Sequence, residues 1–534
     1  MLTSKQCPED CNPEAWKLFA ASANGELAAV KRILAETPDF MHTFVWYESP
    51  LHFAVREDQI EVVRELLNAG INPAYSNFTY SSWQSLLPIA KDRGFDEVHA
   101  MLVAEMQQRF NYDSGYEPLW TAIADGQIDS VQKLIDANPK LVNIGDEHGN
   151  RSLHRAILAR RLPIIEMLLN AGADINALRA DMQTPLHLAN EGGDYWYSKN
   201  DKADADTTWT QVIELLRDRG ATYEFSNAIS LNDIDHVKSE LAKTPELAKR
   251  LNPARRSPLY LAARRGHMEL VRLLLENGAD PNLPEHCAPS GRALFEASAR
   301  NDIEMMKLLI EHGAHADAYV DSSGNCLSIA QQGGEQEAAT VELLKQHGAL
   351  PGEWELDTRE KVSAAIEDKS FIPNRDMWSS ILNKILGLDD VDLLDNYVAR
   401  FGTDDVTRLN PARGWRLPKS QEMLARLIKH GANINARDWY GRTFLHYAAC
   451  GESLTTPEFL IEAGIDIDAI DHQSGTTALG LAAWHGGLAM VDCLLNAGAN
   501  SLLPLEREWA LPQSFAKAQG HDEIVARLKK AWPV

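Results

Sequence analysis

The sequence has few cysteines and no long apolar run. Its six cysteines, at positions 7, 11, 287, 326, 450 and 493, are too few and too scattered over 534 residues for a disulfide framework. We therefore expect a reduced, cytoplasmic setting. No stretch approaches the 18 apolar residues of a membrane-spanning helix, and the first 22 residues lack the apolar core of a signal peptide. No membrane insertion is expected.

Basic residues are also in deficit. Lysine and arginine number 52 against 76 aspartate and glutamate residues, which gives a formal charge of −24. A strongly negative chain repels polyanions and meets cationic surfaces faster than neutral ones. The charge therefore argues against a nucleic-acid partner and predicts a protein partner with a basic surface, whose association should depend on salt.

Short motifs for catalysis and cofactor binding are absent. The chain has no GxxxxGK[ST], HExxH, GxSxG or GxGxxG pattern and no CxxC pair. His312 and His347, with His315 nearby, suggest a metal cluster, but each of the first two precedes a glycine at a predicted helix end, where a cation suits the helix dipole. Because no tetrahedral set of nitrogen and sulfur ligands is visible, we expect no metal and no cofactor.

The informative stretch is residues 257–282, SPLYLAARRGHMELVRLLLENGADPN. Ser257 suits an N-cap and Pro258 the first helical position. Gly266 should end this short helix, and leucines at helical spacing predict a second one that ends at Gly278, where a positive φ is expected. Helices this short are marginal alone, so the unit must stack on copies of itself.

Those copies occur along the chain. The helix start recurs as SPLH (49–52), RSLH (151–154), TPLH (184–187), SPLY (257–260), RALF (292–295), TFLH (443–446) and TALG (477–480). The separation from His154 to His187 is 33 residues, and that from Gly464 to Gly498 is 34. A 33-residue period with a T-P-L-H-x-A start is typical of ankyrin repeats, and nearly the whole chain resembles that family.

The resemblance implies an all-α fold, an ankyrin-repeat solenoid of about 14–15 helix-turn-helix repeats with short hairpin loops. Packing distances of 8–10 Å between repeats give a curved stack of roughly 110–140 Å. A second periodicity comes from repeats that end in a proline turn, at Pro38, Pro139 and Pro245. It predicts modules at 1–116, 117–222 (with a loop insertion at 195–208) and 223–352, then an irregular connector with a degenerate repeat at 353–411 and a C-terminal array with its cap at 412–534.

The box histidines recur at one helical position as His52, His154, His187 and His446. In the ankyrin family this histidine forms a hydrogen bond with the turn of the neighbouring repeat. The resemblance therefore implies that these histidines are structural, and not catalytic or metal-binding.

Two kinds of residue are candidates for partner binding. Bulky rings stand where ankyrin hairpins normally carry Asp, Asn and Gly, and arginines stand at the ends of first helices: Trp46, Tyr47, Tyr80, Trp83, Trp120, Tyr195, Trp196, Tyr197, Trp209, Arg264 and Arg265. Trp and Tyr supply large contact areas at low entropic cost. The alternatives are that the rings pack on neighbouring loops and that the arginines compensate helix dipoles.

These features predict a non-catalytic, monomeric protein-interaction scaffold or regulator. It would bind a protein partner in the concave groove and at the loop tips, as related ankyrin proteins do, and an inhibitor or immunity-type role is one form of this function. The alternative is an enzyme with an active site in the groove or in 353–411, for which converging Asp, Glu or His residues would be the sign.

Overall fold

The computed structural model describes residues 7, 11–45, 48–74, 85–192, 203–285, 288, 290–320, 324–331, 337–349, 356, 358–368, 381–409, 411, 418–438, 440–451, 455–505 and 507–531. Short helices follow each other in antiparallel pairs through these ranges, so the predicted all-α solenoid is confirmed. Within the described ranges, no helix is long and apolar enough to cross a membrane.

The N-terminal half of the stack runs to residue 218. Its helices are α1 (Pro13–Asn24), α2 (Leu27–Glu36), α3 (Pro50–Arg56), α4 (Ile60–Asn68), α5 (Leu86–Asp92), α6 (Asp96–Phe110), α7 (Glu117–Ala124), α8 (Ile128–Ala137), α9 (Ser152–Leu158), α10 (Leu162–Asn170), α11 (Pro185–Asn190) and α12 (Trp209–Asp218). The first helix of each pair is called the inner helix below.

The next helices are α13 (Phe225–Ser230), α14 (Ile234–Lys243), α15 (Pro258–Arg265), α16 (Met268–Glu276), α17 (Ala293–Ala299), α18 (Ile303–Glu311), α19 (Cys326–Ala330) and α20 (Glu337–Gln346). One antiparallel ladder, β1 (Tyr319–Val320) with β2 (Gly324–Asn325), precedes α19. The remaining helices are α21 (Arg359–Glu367), α22 (Ile381–Leu388), α23 (Val391–Phe401), α24 (Asp404–Thr407), α25 (Gln421–Lys429), α26 (Phe444–Ala449), α27 (Thr455–Glu462), α28 (Ala478–His485), α29 (Leu488–Asn496), α30 (Pro512–Ala518) and α31 (Asp522–Lys530).

The repeat at 257–282 folds as its sequence predicts. The Ser257 hydroxyl accepts a hydrogen bond from the backbone N–H of Tyr260 at 3.0 Å, and Pro258 begins α15. Gly266 and Gly278 end the two helices with φ of 73° and 81°, a conformation that costs glycine nothing. Leu270 and Leu274 of α16 are fully buried against the α15 face.

Proline ends three repeats by starting a short 3-10 turn. The turns are Pro38–His42, Pro139–Asn143 and Pro245–Lys249, and each follows the outer helix of its pair. Because proline has no N–H to donate and cannot continue a helix, it ends the outer helix where other repeats use glycine.

Buried apolar side chains continue the core from repeat to repeat. Clusters extend over 18–102, 119–221, 228–349, 356–427 and 424–528. Tyr223 packs against the second and the third cluster, and Phe444 against the fourth and the fifth. Such sharing is what nearest-neighbour stacking requires. The module boundaries stay a prediction.

The box histidines join adjacent repeats. The Nε2 atom of His446 lies 3.4 Å from the Thr476 carbonyl oxygen, and that of His187 lies 2.8 Å from the Ser226 hydroxyl. Burial lowers the pKa of His52 and of His154 to about 3, so both rings are neutral at physiological pH. The structural role that the resemblance implies is confirmed at His187 and His446.

The two ends of the stack contact each other. The Arg56 guanidinium donates to Glu48 at 3.0 Å and to the side-chain oxygen of Gln473. Arg93 donates to the backbone oxygen of Gln473 and lies over the Trp509 ring, 4.8 Å from its centroid. The inner-helix ends of the second and third repeats therefore bind hairpin loops of the C-terminal array. This contact is called the closure.

Further contacts extend the closure on both sides. Arg507 donates to Glu57 at 3.0 Å, and His472 lies 3.7 Å from the same carboxylate. Although burial opposes ionisation, His472 and Arg507 hold the pKa of Glu57 at about 2. Tyr440 packs against an N-terminal aromatic cluster that contains Trp16, Phe19 and Phe53. The closure joins residues 380 to 450 positions apart, which the repeat pattern does not predict.

Candidate partner-binding site

Seven of the predicted partner-binding residues lie outside the described residues. They are Trp46, Tyr47, Tyr80, Trp83, Tyr195, Trp196 and Tyr197. Their role stays a prediction. The other four, Trp120, Trp209, Arg264 and Arg265, are placed by the structure.

Trp120 belongs to the core and not to a surface loop. It is 7% exposed, and its ring centroid lies 4.6 Å from that of Tyr116 and 5.5 Å from the Arg155 guanidinium carbon. Its predicted contact with a partner is therefore wrong for this conformation. The error came from the helix boundary, because α7 begins at Glu117 and makes Trp120 a helical residue that faces the core.

Arg264 and Arg265 reach across one repeat. Arg264 donates to Glu191 at 2.5 Å and to the Tyr260 hydroxyl at 3.0 Å, and Arg265 donates to the backbone oxygen of Asn190. The inner helix α13, which comes between α11 and α15, ends at Ser230 after six residues. Helix α15 has eight residues and carries both arginines in its last turn. The eighth repeat therefore contacts the turn after α11 in the sixth.

Glu191 is the carboxylate on which these arginines converge. Arg256 donates to it at 2.8 Å, and its side chain is 11% exposed. Burial opposes its ionisation, yet Arg256, Arg264 and Arg265 together hold the pKa of Glu191 below its usual range. Glu191 is thus charged, and three guanidinium groups surround one carboxylate.

Trp209 lies beside the same turn. Its Nε1 is 3.8 Å from the position that a Cβ on Gly192 would occupy, and its ring lies 5.7 Å from the Arg160 guanidinium carbon. Arg160 also donates to the Thr207 carbonyl oxygen at 3.0 Å. Three of the four described candidates, Trp209, Arg264 and Arg265, therefore meet around residues 190–192.

Asn190 and Glu191 are members of this site that the sequence analysis missed. Asn190 is 5% exposed, and within the described residues neither polar atom of its side chain has a hydrogen-bond partner. Its box position is held by Ala263, Ala449 and Ala483 in matching repeats. A polar residue at a buried alanine position was the signal available in the sequence.

A recurrent contact explains part of the arginine pattern. A side chain next to the end of one inner helix donates to a carbonyl oxygen at the end of an earlier inner helix: Gln59 to Ala23 (3.2 Å), Arg93 to Arg56 (3.1 Å), Arg161 to Ala124 (3.0 Å) and Arg265 to Asn190. Helix-end carbonyls lack intrahelical donors and carry partial negative charge. The helix-dipole interpretation therefore accounts for these contacts, and partner binding by Arg264 and Arg265 stays a prediction.

One group of candidate metal ligands appears among the described residues, Asp146, Glu147 and His148. Asp146 accepts hydrogen bonds from the backbone N–H groups of His148 at 2.9 Å and Asn150 at 2.7 Å. Glu147 accepts one from the Tyr116 hydroxyl at 2.6 Å. The carboxylate oxygens of Asp146 and Glu147 thus stabilise a hairpin turn.

His312 and His347 contact carbonyl oxygens of their own helices at 2.8 and 2.9 Å, as expected of helix-end histidines.

Comparison with known proteins gives matches along the chain. Family models described as ankyrin repeats match residues 46–78, 134–189, 259–353 and 418–504, just over half of the chain. A stretch of 217 residues, 39% of the chain, is 26% identical to 20% of the nuclear factor NF-kappa-B p105 subunit of Gallus gallus. Another of 180 residues, 32% of the chain, is 28% identical to 15% of the ankyrin repeat protein nuc-2 of Neurospora crassa.

The matched part spans a fifth or less of these two relatives. The solved ankyrin repeat domain of human ASB11 is 21% identical; the match covers 44% of this chain and 99% of that domain, with a TM-score of 0.26. The helix pairs, the proline- or glycine-ended repeats, the box histidines and the family models agree. The chain belongs to the ankyrin-repeat family, whose repeats are protein-binding modules and in general not catalytic.

Proposed function

We propose that this protein is a monomeric, cytoplasmic scaffold or regulator that binds a protein partner along its inner helices and hairpin tips. The observation that carries the proposal is the stack of consecutive inner helices from α7 to α19, which presents charged and aromatic side chains around residues 190–192. A rigid repeat surface of this kind loses little conformational entropy when it binds. Catalysis is not part of the proposal, because the described polar clusters are engaged in turns and helix ends.

The chain charge supports a partner with a basic surface. Because the formal charge of the chain is −24, long-range attraction raises its rate of encounter with cationic proteins. Salt screens this attraction with a Debye length of roughly 8 Å at physiological ionic strength. An inhibitor that covers a basic enzyme is one form of this function. Capture from native lysate, followed by mass spectrometry, identifies the partner. An association rate that does not change between low and high salt contradicts the electrostatic part of the proposal.

The insertion at 195–208 supplies a direct test of the binding surface. Replacing Tyr195, Trp196 and Tyr197 by alanine should weaken partner capture at least tenfold, about 1.4 kcal/mol, because aromatic rings dominate interface energies. The melting temperature should stay nearly unchanged, since the solenoid continues without the insertion. Alanines at Ser198, Lys199 and Asn200 of the same loop form the matched control. If capture is not weakened, or if the aromatic variant unfolds, the three rings have a structural role and do not bind the partner.

A further inference from the structure

The closure shows how this chain binds a protein loop. Arg56 at the end of α3 and Arg93 just after α5 both donate to residue 473, one to its side-chain oxygen and the other to its backbone oxygen. Both arginines stand at inner-helix ends, and the loop that they hold supplies acceptors. Arginine suits this task because its guanidinium presents five donors in a fixed fork.

The same helix-end positions carry arginines in the middle of the stack. They are Arg160 and Arg161 after α9, Arg264 and Arg265 in the last turn of α15, and Arg300 after α17. These five residues are called the arginine row. Arg300 is exposed, Arg160, Arg161 and Arg265 are half-buried, and the Arg264 side chain is 34% exposed. The loop at 203–208 lies on one end of the row, where the Thr207 carbonyl oxygen accepts a hydrogen bond from Arg160 at 3.0 Å, as the 473 loop lies on Arg56 and Arg93.

The charge along the row is opposite to that of the chain. Glu191 faces Arg264, and Asp204 lies near Arg160 and Arg161. Glu296 also lies near Arg264, and Arg256 adds a further positive charge at Glu191. Carbonyl oxygens carry no net charge, so the hydrogen bonds of Arg161 and Arg265 to helix ends do not neutralise these guanidinium groups. The middle inner helices therefore present a positive strip on a protein of charge −24.

We propose that the arginine row binds an acidic segment of a protein partner, with carboxylate oxygens in the place that the Gln473 oxygens take at Arg56 and Arg93. The proposal rests on the scaffold function above and specifies the ligand of its central surface. Charge-assisted bonds from arginine to carboxylate are about twice as strong as neutral ones. The acidic remainder of the surface then binds the basic exterior of a partner, and this inner strip binds an acidic stretch of the same partner.

Binding of a fluorescent ten-residue oligoglutamate to the full-length protein, followed by anisotropy at low salt, tests the proposal. The peptide should bind more tightly than uncharged oligoglutamine of equal length. The double variant R264Q/R300Q should weaken it at least tenfold. The control variant R32Q/R272Q changes the net charge equally, but its arginines are exposed on the outer helices α2 and α16. Its affinity should stay within twofold of the wild type.

Three results overturn the proposal: no preference for oligoglutamate over oligoglutamine, equal losses in both double variants, or tighter binding of a ten-nucleotide oligouridylate than of the acidic peptide. Circular dichroism of R264Q/R300Q checks that the repeats remain folded. If that variant loses helicity, R300Q alone replaces it, since Arg300 is exposed and lies against Gly266. Partner capture that persists while oligoglutamate fails to bind removes this inference and leaves the scaffold function intact.

Discussion

The double variant R93A/Q473A should open the closure and lengthen the molecule. In the closed form, Arg93 loses most of its hydration, and burial lowers its pKa to about 10, so it remains charged. Its compensating contacts are the Gln473 backbone oxygen and the Trp509 ring. The Gln473 side chain in turn accepts from Arg56 and donates to Glu48 at 3.3 Å.

The double variant removes the Gln473 side chain from Arg56 and Glu48, which stay buried as long as the closure stays closed. Arg56 is 2% exposed and Glu48 is 5% exposed. A buried polar group that loses its hydrogen-bond partner costs about 1–3 kcal/mol, whereas opening returns the groups to water. Apart from the packing of Tyr440 on the N-terminal aromatic cluster and of Phe95 on Trp509, the closure is made by polar contacts, and such contacts open more readily than an apolar core. The open form should therefore dominate in the variant.

Small-angle scattering measures the outcome. The largest dimension should grow by on the order of 20 Å or more, because a stack of this many repeats spans roughly 110–140 Å when its ends are apart. The control R64A/Q421A removes the same residue types from exposed positions on α4 and α25 and should scatter like the wild type. Unchanged scattering by R93A/Q473A, with the helices intact by circular dichroism, shows that other contacts hold the ends together.

Local structure was predictable from the sequence because each repeat contains its own signals. Ser257, Pro258 and Gly266 set the limits of α15, and Pro38, Pro139 and Pro245 begin the turns that replace glycine. These signals act within a few residues of one another. Trp120 shows their limit, since a start of α7 at Glu117 turns a ring assigned to a loop into a core residue.

Contacts between distant repeats were not predictable for a physical reason. The curvature of a solenoid is the sum of small rotations between neighbours, and the one-dimensional pattern does not give those rotations. The approach of Arg264 to Glu191 depends on the rotations across two interfaces, and the approach of Arg93 to Gln473 depends on the rotations of the whole stack. The sequence therefore indicated the residue types of the site but not their partners.

Stability should also depend on the ionisation of Glu285, a carboxylate that links two repeats. It accepts a hydrogen bond from the Ser257 backbone N–H at 3.0 Å and one from the Ser257 hydroxyl at 2.8 Å, beside the N-terminus of α15. Glu285 is 9% exposed. Burial raises its pKa from 4.5 to about 7 against the opposing effect of the Ser257 bonds and of Arg292 and Arg256.

The sign of the pH dependence follows from that shift. A carboxyl with a higher pKa in the folded than in the unfolded state favours folding fully below pH 4.5 and loses this contribution as the pH rises through 7. At 1.36 kcal/mol per pKa unit, the loss is about 3 kcal/mol. In E285Q the amide does not ionise. The free energy of unfolding of E285Q minus that of the wild type should therefore rise by about 3 kcal/mol between pH 4 and pH 8.

Denaturant unfolding at a series of pH values, followed by circular dichroism, measures this difference. Taking the difference between the variant and the wild type cancels the contributions of the other titrating groups. These include the buried box histidines, which lower the free energy of unfolding of both proteins as the pH falls. E276Q is the matched control, because Glu276 is exposed at the end of α16. Its difference from the wild type should stay flat. A flat difference for E285Q means that the Ser257 bonds and the arginines balance burial. A difference that falls as the pH rises means that they outweigh burial and that Glu285 stabilises the repeat interface as a carboxylate.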